Sequence, residues 1–152
     1  MKPIVIGCDN AAVALKNTVI DYLEGRKIEV EDVGCFTPED STYYAYIAEK
    51  VCSRIIGSGY EKEGILLCGT GIGMAITANK CRGIRAAVCH DNFAAERSKL
   101  SNNGNVLCLG ARIIGPGLAV KIVSEWIGLE FKDCSSTPKV EAISEIEKAH
   151  FK

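Results

Sequence analysis

Five short apolar runs alternate with helical patterns along this chain of 152 residues. The runs are continuous stretches of Val, Ile and Leu, which is typical of strands covered on both faces, as in a parallel sheet. They span residues 3–8, 28–34, 64–69, 85–90 and 105–110. Apolar residues at helical spacing predict helices at about 11–25, 42–57, 72–81, 92–101, 115–128 and 138–149. This order predicts one α/β domain over residues 1–152, a three-layer doubly wound (Rossmann-like) sandwich with a five-stranded parallel sheet and a C-terminal helix.

Charge and hydropathy exclude several classes of function. The formal net charge is −1 and no basic block is present, so the sequence does not favour a nucleic-acid partner. No apolar run approaches the roughly 20 residues that cross a bilayer. The first residues, "MKPIVIGCDN", lack the apolar segment and cleavage site of a signal peptide. We therefore expect a cytoplasmic protein with neither a nucleic-acid nor a membrane partner.

Eight cysteines raise the question of disulfides or metal. They include no C-x-x-C pair, and most of them lie in or beside apolar runs. This pattern favours buried free thiols in a reducing cytosol. The two histidines, His90 and His150, lack ligand spacing, so we expect no metal site.

The segment "CGTGIG" follows the third predicted strand and opens a helix. Its glycines, Gly69, Gly71 and Gly73, match neither the dinucleotide fingerprint nor a Walker loop. Their N–H groups could face an anion or a developing oxyanion, or the glycines could serve only a tight turn. Cys68 lies at the mouth of this turn near a helix start, which favours the thiolate as a base or nucleophile. The alternative for Cys68 is an inert buried thiol.

Further candidates follow from the rule that ligands bind beyond the carboxyl ends of parallel strands. Asp9 ends the first strand, where it could reach a ligand, cap the next helix, or do both. Arg112 follows the fifth strand and could bind phosphate. Arg85 starts its strand, which favours a surface or subunit contact. Other side chains could serve the site or merely form turns and pack: Asn102, Asn103, Tyr43, Tyr44 and Tyr46.

Several motifs together resemble the ribose-5-phosphate isomerase B and galactose-6-phosphate isomerase family. In order they are "IGCD", "DVG", "GILLCGTGIGMAITANKCRGIRAAVC", "NVLCLGARIIG" and "VEAISEIE", which span almost the whole chain. The resemblance implies a doubly wound parallel sheet and a homodimer or dimer of dimers. It also implies interconversion of aldose and ketose sugar phosphates with no metal or cofactor, at sites between subunits.

The resemblance also implies roles for individual residues. Cys68 corresponds to the base that moves a proton between C1 and C2, and Thr70 to a residue that helps to protonate the sugar oxygens. The backbone of Gly69, Gly71, Ile72 and Gly73 corresponds to an anion hole for a cis-enediolate. Positions that contact the substrate correspond to Asp9, Asn10, Tyr44, Ser101 and Asn102. Positions that contact the phosphate correspond to Arg112 and Lys139.

The chain departs from the family pattern at several of these positions. Asn10, Ser101 and Ser136 stand where the family has histidines, and Ser135 and Lys139 stand where it has arginines. The position of Ser101 is the one assigned to ring opening. The retained residues are those of proton transfer, whereas the altered ones serve ring opening and phosphate binding.

Two functional hypotheses follow from this pattern. The first is an active aldose–ketose isomerase, with conversion of ribose 5-phosphate to ribulose 5-phosphate as the family default and a hexose 6-phosphate as an alternative substrate. The second is a non-catalytic or heteromeric subunit, which the missing histidines would explain. The retained thiol at the enediolate position favours the first hypothesis. Substrates that exist in open-chain form should be preferred, because serine does not titrate near neutral pH.

Overall fold

The computed structural model describes residues 1–151, and within them five strands form one parallel sheet in the order β2-β1-β3-β5-β4. The strands are β1 (Ile4–Cys8), β2 (Val30–Asp32), β3 (Glu63–Cys68), β4 (Ala86–Val88) and β5 (Val106–Gly110). β1 and β5 are buried at every position, and the edge strands β2 and β4 are half-buried. Continuous apolar runs therefore form the middle of the sheet, and the predicted parallel sheet is confirmed.

Helices cover both faces of this sheet. They are α1 (Val13–Gly25), α2 (Tyr44–Gly57), α3 (Ile72–Ala78), α4 (Asn92–Leu100), α5 (Pro116–Ile127) and α6 (Thr137–His150). α1, α4 and α5 pack together on one face, and α2 and α3 pack together on the other. The predicted doubly wound, three-layer architecture is thus confirmed. None of the helices within residues 1–151 combines the length and apolar character needed to cross a membrane.

α3 ends three residues earlier than the sequence predicts, and Asn79 accounts for the difference. Its side-chain amide donates to the carbonyl of Ala86 at 2.9 Å, and its side-chain oxygen accepts from the N–H of Ala86 at 2.8 Å. Asn79 is the C-cap of α3 with a ψ of −3°, so the helix ends there, and its side chain holds the start of β4 against the end of the helix. The local apolar pattern contains no sign of this pairing.

A buried lysine on α1 anchors the loop that follows β2. Lys16 is fully buried, and its ammonium group donates to the two carboxylate oxygens of Asp32 at 2.8 and 2.7 Å and to the carbonyl of Cys35 at 2.7 Å. It also lies 4.8 Å from the centre of the Phe36 ring. These contacts fix the first part of the loop that leads to α2.

The C-terminal helix leaves most of its apolar stripe uncovered. Only Val140 of α6 is buried, whereas Ile143 and Ile146 are 44% and 63% exposed. The far end of the helix is held where Glu147 accepts a hydrogen bond from the N–H of Gly83 at 2.7 Å. Between α6 and edge strand β4 lies a groove of about 690 Å³ with a largely apolar lining.

The Lys16–Asp32 pair yields a stability prediction. Lys16→Met should lower the free energy of unfolding by about 3 kcal/mol, the low end of the range for a broken buried pair, because Asp32 keeps some exposure. The control is Arg54→Met, which breaks an exposed pair with Glu31 and should cost less than about 1 kcal/mol. Urea denaturation measures both values, and equal losses would contradict the assigned role of Lys16.

Candidate active site

Cys68 lies at the middle of the carboxyl edge of the sheet. It is the last residue of β3, and on one side it pairs in register with Gly110 of β5. On the other side the N–H of Asp9 donates to the carbonyl of Leu67 at 3.1 Å, which places Asp9 beside Cys68. The strand order reverses between β1 and β3, so this position is the topological switch point where α/β sheets bind ligands.

The glycine-rich turn folds back onto the sulfur of Cys68. The N–H of Gly71 donates to Cys68 Sγ at 3.0 Å, and the N–H of Ile72 donates to Thr70 Oγ1 at 3.3 Å. Gly71 has a φ of +76°, in the left-handed region that glycine adopts without strain. Two amides of the predicted anion hole therefore point at the sulfur and at the threonine hydroxyl.

The turn is packed against the end of β5 with no space for extra atoms. A β-carbon on Gly110 would lie 2.7 Å from Thr70 Cα, and one on Gly71 would lie 3.0 Å from the carbonyl carbon of Leu109. The N–H of Arg112 donates to the carbonyl of Gly69 at 3.0 Å, which ties the two segments together. This close approach fixes the position of the turn relative to the sheet.

Tyr44 and Arg112 flank the turn, as the sequence predicts. Tyr44 is the first residue of α2, and its ring lies against Gly73, where a β-carbon would be 2.6 Å from the ring. The guanidinium of Arg112 lies over Gly69, where a β-carbon would be 3.1 Å from Nη1. Both side chains are partly solvent-exposed and accessible to a ligand. The neighbouring Tyr43 and Tyr46 stack on each other at the surface.

The first loop contributes Asp9 and Asn10. Asp9 Oδ1 accepts a hydrogen bond from the N–H of Ala11 at 3.0 Å and caps a 3₁₀ turn at Asn10–Ala12. The predicted capping role is therefore confirmed, and the cap uses only Oδ1. Asn10 is exposed at the start of the turn.

His90, which lacks the sequence spacing of a metal ligand, lies beside the candidate site. Its Nε2 accepts a hydrogen bond from the N–H of Gly110 at 2.9 Å, directly beside the glycine turn. Burial lowers the pKa of His90, which keeps the imidazole neutral and able to accept near neutral pH. In the sequence, its position at the carboxyl end of the fourth predicted strand is the feature that indicates a place at the site.

Ser101 and Asn102 lie at the opposite edge of the sheet from Cys68. Both precede β5, whose first residue, Val106, pairs with Gly64. Four residues at about 3.3 Å each put the start of β5 about 13 Å from the level of Cys68. The predicted site residues thus form a carboxyl-edge group around Cys68 and an amino-edge group that includes Ser101 and Asn102.

The amino-edge group also includes residues of the loop that precedes α6. Ser101, Ser135 and Ser136 line one cavity of about 340 Å³. Lys139 lies nearby in the first turn of α6, and its side chain is exposed. Within one chain these residues cannot contact a small ligand held at Cys68.

Most of the cysteines other than Cys68 have packing roles. All eight lie in the described part of the chain and are free thiols, six of them buried, which confirms the expectation from the sequence. Burial raises the pKa of Cys8 to about 12 and also raises the pKa of Cys35, Cys52, Cys89 and Cys108. These thiols stay protonated and serve packing. Residues 1–151 contain no group of three His, Cys, Asp or Glu side chains placed to hold a metal ion.

Comparison with known proteins identifies the family of the chain. The profile of the family described as Ribose/Galactose Isomerase matches residues 4–143. The chain belongs to this family.

Similar members of the family differ in the substrates that they are named for. The chain is 47% identical over 147 residues to the D-erythrulose-4-phosphate isomerase of Pectobacterium atrosepticum, covering 97% of this chain and 96% of that protein. It is 46% identical over 145 residues to the ribose-5-P isomerase B of Listeria innocua, covering 95% and 97%. The structure of ribose-5-phosphate isomerase B from Clostridium thermocellum superposes with a TM-score of 0.92 at 39% identity, covering 97% and 99%. The family prediction is confirmed, and the chain is a sugar-phosphate isomerase of the aldose–ketose class.

The close contact at Gly110 generates a prediction about activity. Gly110→Ala should lower kcat/KM for isomerisation about a hundredfold while the fold persists, because the new β-carbon displaces the turn at Thr70. Gly117→Ala is the matched control, since a β-carbon there meets nothing within 4 Å. Steady-state kinetics and circular dichroism compare the two variants. An active Gly110→Ala enzyme would show that the turn tolerates displacement.

Proposed function

We propose that the chain isomerises a short open-chain sugar phosphate through a cis-enediolate, with Cys68 as the base. The observation that supports this most directly is the Gly71 N–H directed at Cys68 Sγ at 3.0 Å, within a glycine turn at the switch point of the sheet. A base and oxyanion donors held within one short segment are what enediolate chemistry requires.

In this mechanism the thiolate of Cys68 removes a proton from the carbon next to the substrate carbonyl. The thiol so formed, whose proton can exchange with solvent, then protonates the neighbouring carbon. The negative charge that develops on the substrate oxygens would be stabilised by the N–H groups of the turn between Gly69 and Gly73. Thr70, whose hydroxyl lies beside the same turn, would move a proton between the two oxygens. Asp9 and Tyr44 would bind the sugar hydroxyls, and Arg112 would bind the phosphate.

The proposed substrate preference depends on ring opening. Ribose 5-phosphate closes a furanose ring through its 4-hydroxyl, which must open before isomerisation. In a tetrose 4-phosphate that hydroxyl is esterified, so the sugar stays open. Ser101 does not titrate near neutral pH and therefore cannot act as an acid–base group for ring opening. This favours a tetrose 4-phosphate, a preference in line with the name of the Pectobacterium relative.

The proposed assembly is a homodimer or a dimer of dimers. The amino-edge group that includes Ser101 and Asn102 can reach Cys68 only from a second copy. The uncovered stripe of Ile143 and Ile146 beside edge strand β4 offers an apolar surface for such a contact.

A non-catalytic or heteromeric subunit is the second candidate. The substitutions at Asn10, Ser101, Ser135 and Ser136 favour it, because each removes a titratable or charged side chain. Turnover by the purified single chain distinguishes the two candidates, since a heteromeric subunit would need its partner.

Replacement of the base is the first test of the mechanism. Cys68→Ser should lower kcat at least about a thousandfold without loss of folding, because a hydroxyl is a much weaker acid than a thiol. Cys81→Ser, at a half-buried thiol away from the turn, is the matched control and should keep wild-type turnover. Comparable activity in both variants would refute Cys68 as the base.

The substrate preference has its own test. Wild-type kcat/KM for erythrose 4-phosphate should exceed that for ribose 5-phosphate by at least about tenfold, which corresponds to about 1.4 kcal/mol in activation free energy. Ser101→His should raise the ratio of kcat for ribose 5-phosphate to kcat for erythrose 4-phosphate, because only the pentose phosphate has a ring to open. A wild type that prefers ribose 5-phosphate, with no gain from the histidine, would overturn the ring-opening explanation.

A further inference from the structure

Arg97 lies at the centre of the amino-edge group, although no sequence motif points to a role for it in the site. It is in the last turn of α4, and its Nη1 donates to Ser101 Oγ at 3.3 Å. It lines the same cavity as Ser101, Ser135 and Ser136. It also lines the groove beside β4 and α6, together with Asn102. Arg97 thus stands between the cavity and the surface on which a second copy would pack.

The charge in this cavity points to an anion. Its lining includes the cations Arg97 and Lys132, the carboxylate of Glu130, and serine hydroxyls. Ser135 stands where an arginine would be expected from the resemblance, and Lys139 does not line the cavity. Arg97 therefore supplies a guanidinium to the part of the site where the expected arginine is missing.

The present partner of Arg97 can be displaced by a phosphate. Nε and Nη2 lie 3.1 and 2.9 Å from the carboxylate of Glu96, the adjacent residue, and both side chains are more than a third exposed. Ion pairs of this exposed kind are weak. A phosphate dianion offers a guanidinium two parallel hydrogen bonds and more charge. The Ser101 hydroxyl, already bonded to Nη1, would lie beside the same anion.

We infer that Arg97, with Ser101, binds the phosphate of the substrate whose carbons are held at Cys68 of a second subunit. This inference rests on the proposed function, since it needs a phosphorylated substrate at Cys68. It assigns Arg97 a share of the affinity that the altered positions 135 and 139 no longer provide. It also gives Ser101 a binding role instead of the ring-opening role of a histidine.

Kinetics of Arg97 variants test the inference. Arg97→Leu should raise KM for erythrose 4-phosphate ten- to hundredfold with little change in kcat, and weaken competitive inhibition by inorganic phosphate by a similar factor. Arg97→Lys should fall in between, because it keeps the charge and loses the planar fork. Arg26→Leu is the control, since Arg26 is exposed at the end of α1 and its side chain donates to the Tyr22 hydroxyl, away from the cavity. Unchanged KM and phosphate inhibition in Arg97→Leu would overturn the inference.

A hybrid enzyme tests whether Arg97 acts across the interface. Chains carrying Cys68→Ser and Arg97→Leu are coexpressed with different tags and assayed at substrate concentrations below the KM of Arg97→Leu. If Arg97 acts in trans, each hybrid dimer holds one intact site, so randomly paired chains recover about a quarter of wild-type sites. If Arg97 acts in cis, the mixture shows only the activity of its Arg97→Leu chains, and the inference fails.

The same experiments separate this inference from the proposed function. An inactive wild type, or an active Cys68→Ser homodimer, would refute the proposed function itself. An active wild type with an inactive Cys68→Ser variant and a fully active Arg97→Leu variant would refute only the role of Arg97.

Discussion

The contact between the glycine turn and the end of β5 fixes the geometry on which the rest of the candidate site depends. Gly110 and Gly71 let Thr70 and Leu109 approach to a distance at which a β-carbon would clash. The turn therefore cannot slide over the sheet, and its Gly71 N–H stays directed at Cys68. His90 holds the same point from the other side through its bond to the N–H of Gly110. Because the turn is fixed, its backbone need not rearrange when charge develops on a substrate in the proposed mechanism.

Within the proposed mechanism, the site residues fall into two groups that can change independently during evolution. The carboxyl-edge group around Cys68 carries the proposed chemistry and, apart from Asn10, keeps the residues that the resemblance implies. The amino-edge group carries the altered residues, Ser101, Ser135 and Ser136, and the newly assigned Arg97. Because the two groups lie at opposite ends of β5, substitutions in one can change the preferred sugar without disturbing the turn at Cys68. Substrate range and proton transfer would then depend on different parts of the chain.

The sequence predicts the sheet and helices well because their signal is local. Strands buried on both faces have continuous apolar runs, and helices buried on one face have apolar residues at helical spacing. The strands and helices in the structure begin and end within a few residues of the predicted positions. The pairing of Asn79 with Ala86 and the burial of Lys16 against Asp32 could not be predicted, since each is a side-chain contact between a helix and a separate strand.

The candidate site could be predicted in part, because some of its residues belong to local sequence motifs. Cys68, the glycine turn, Tyr44 and Arg112 follow from local motifs and from the rule on strand ends, and the structure brings them together. The roles of His90 and Arg97 depend on what their side chains meet in three dimensions, Gly110 and Ser101 respectively. Only the fold reveals that Ser101 and Asn102 lie about a strand length away from Cys68.

Solvent isotope exchange tests proton abstraction by Cys68 most directly. Erythrulose 4-phosphate is incubated in D₂O with wild-type enzyme or with the Cys68→Ser variant, and the C1 and C2 hydrogens are followed by NMR. The proposed mechanism predicts that wild type introduces solvent deuterium at these carbons, at least in part. It also predicts that the variant introduces none above the enzyme-free rate while still binding inorganic phosphate. Exchange by Cys68→Ser at the wild-type rate would contradict the mechanism.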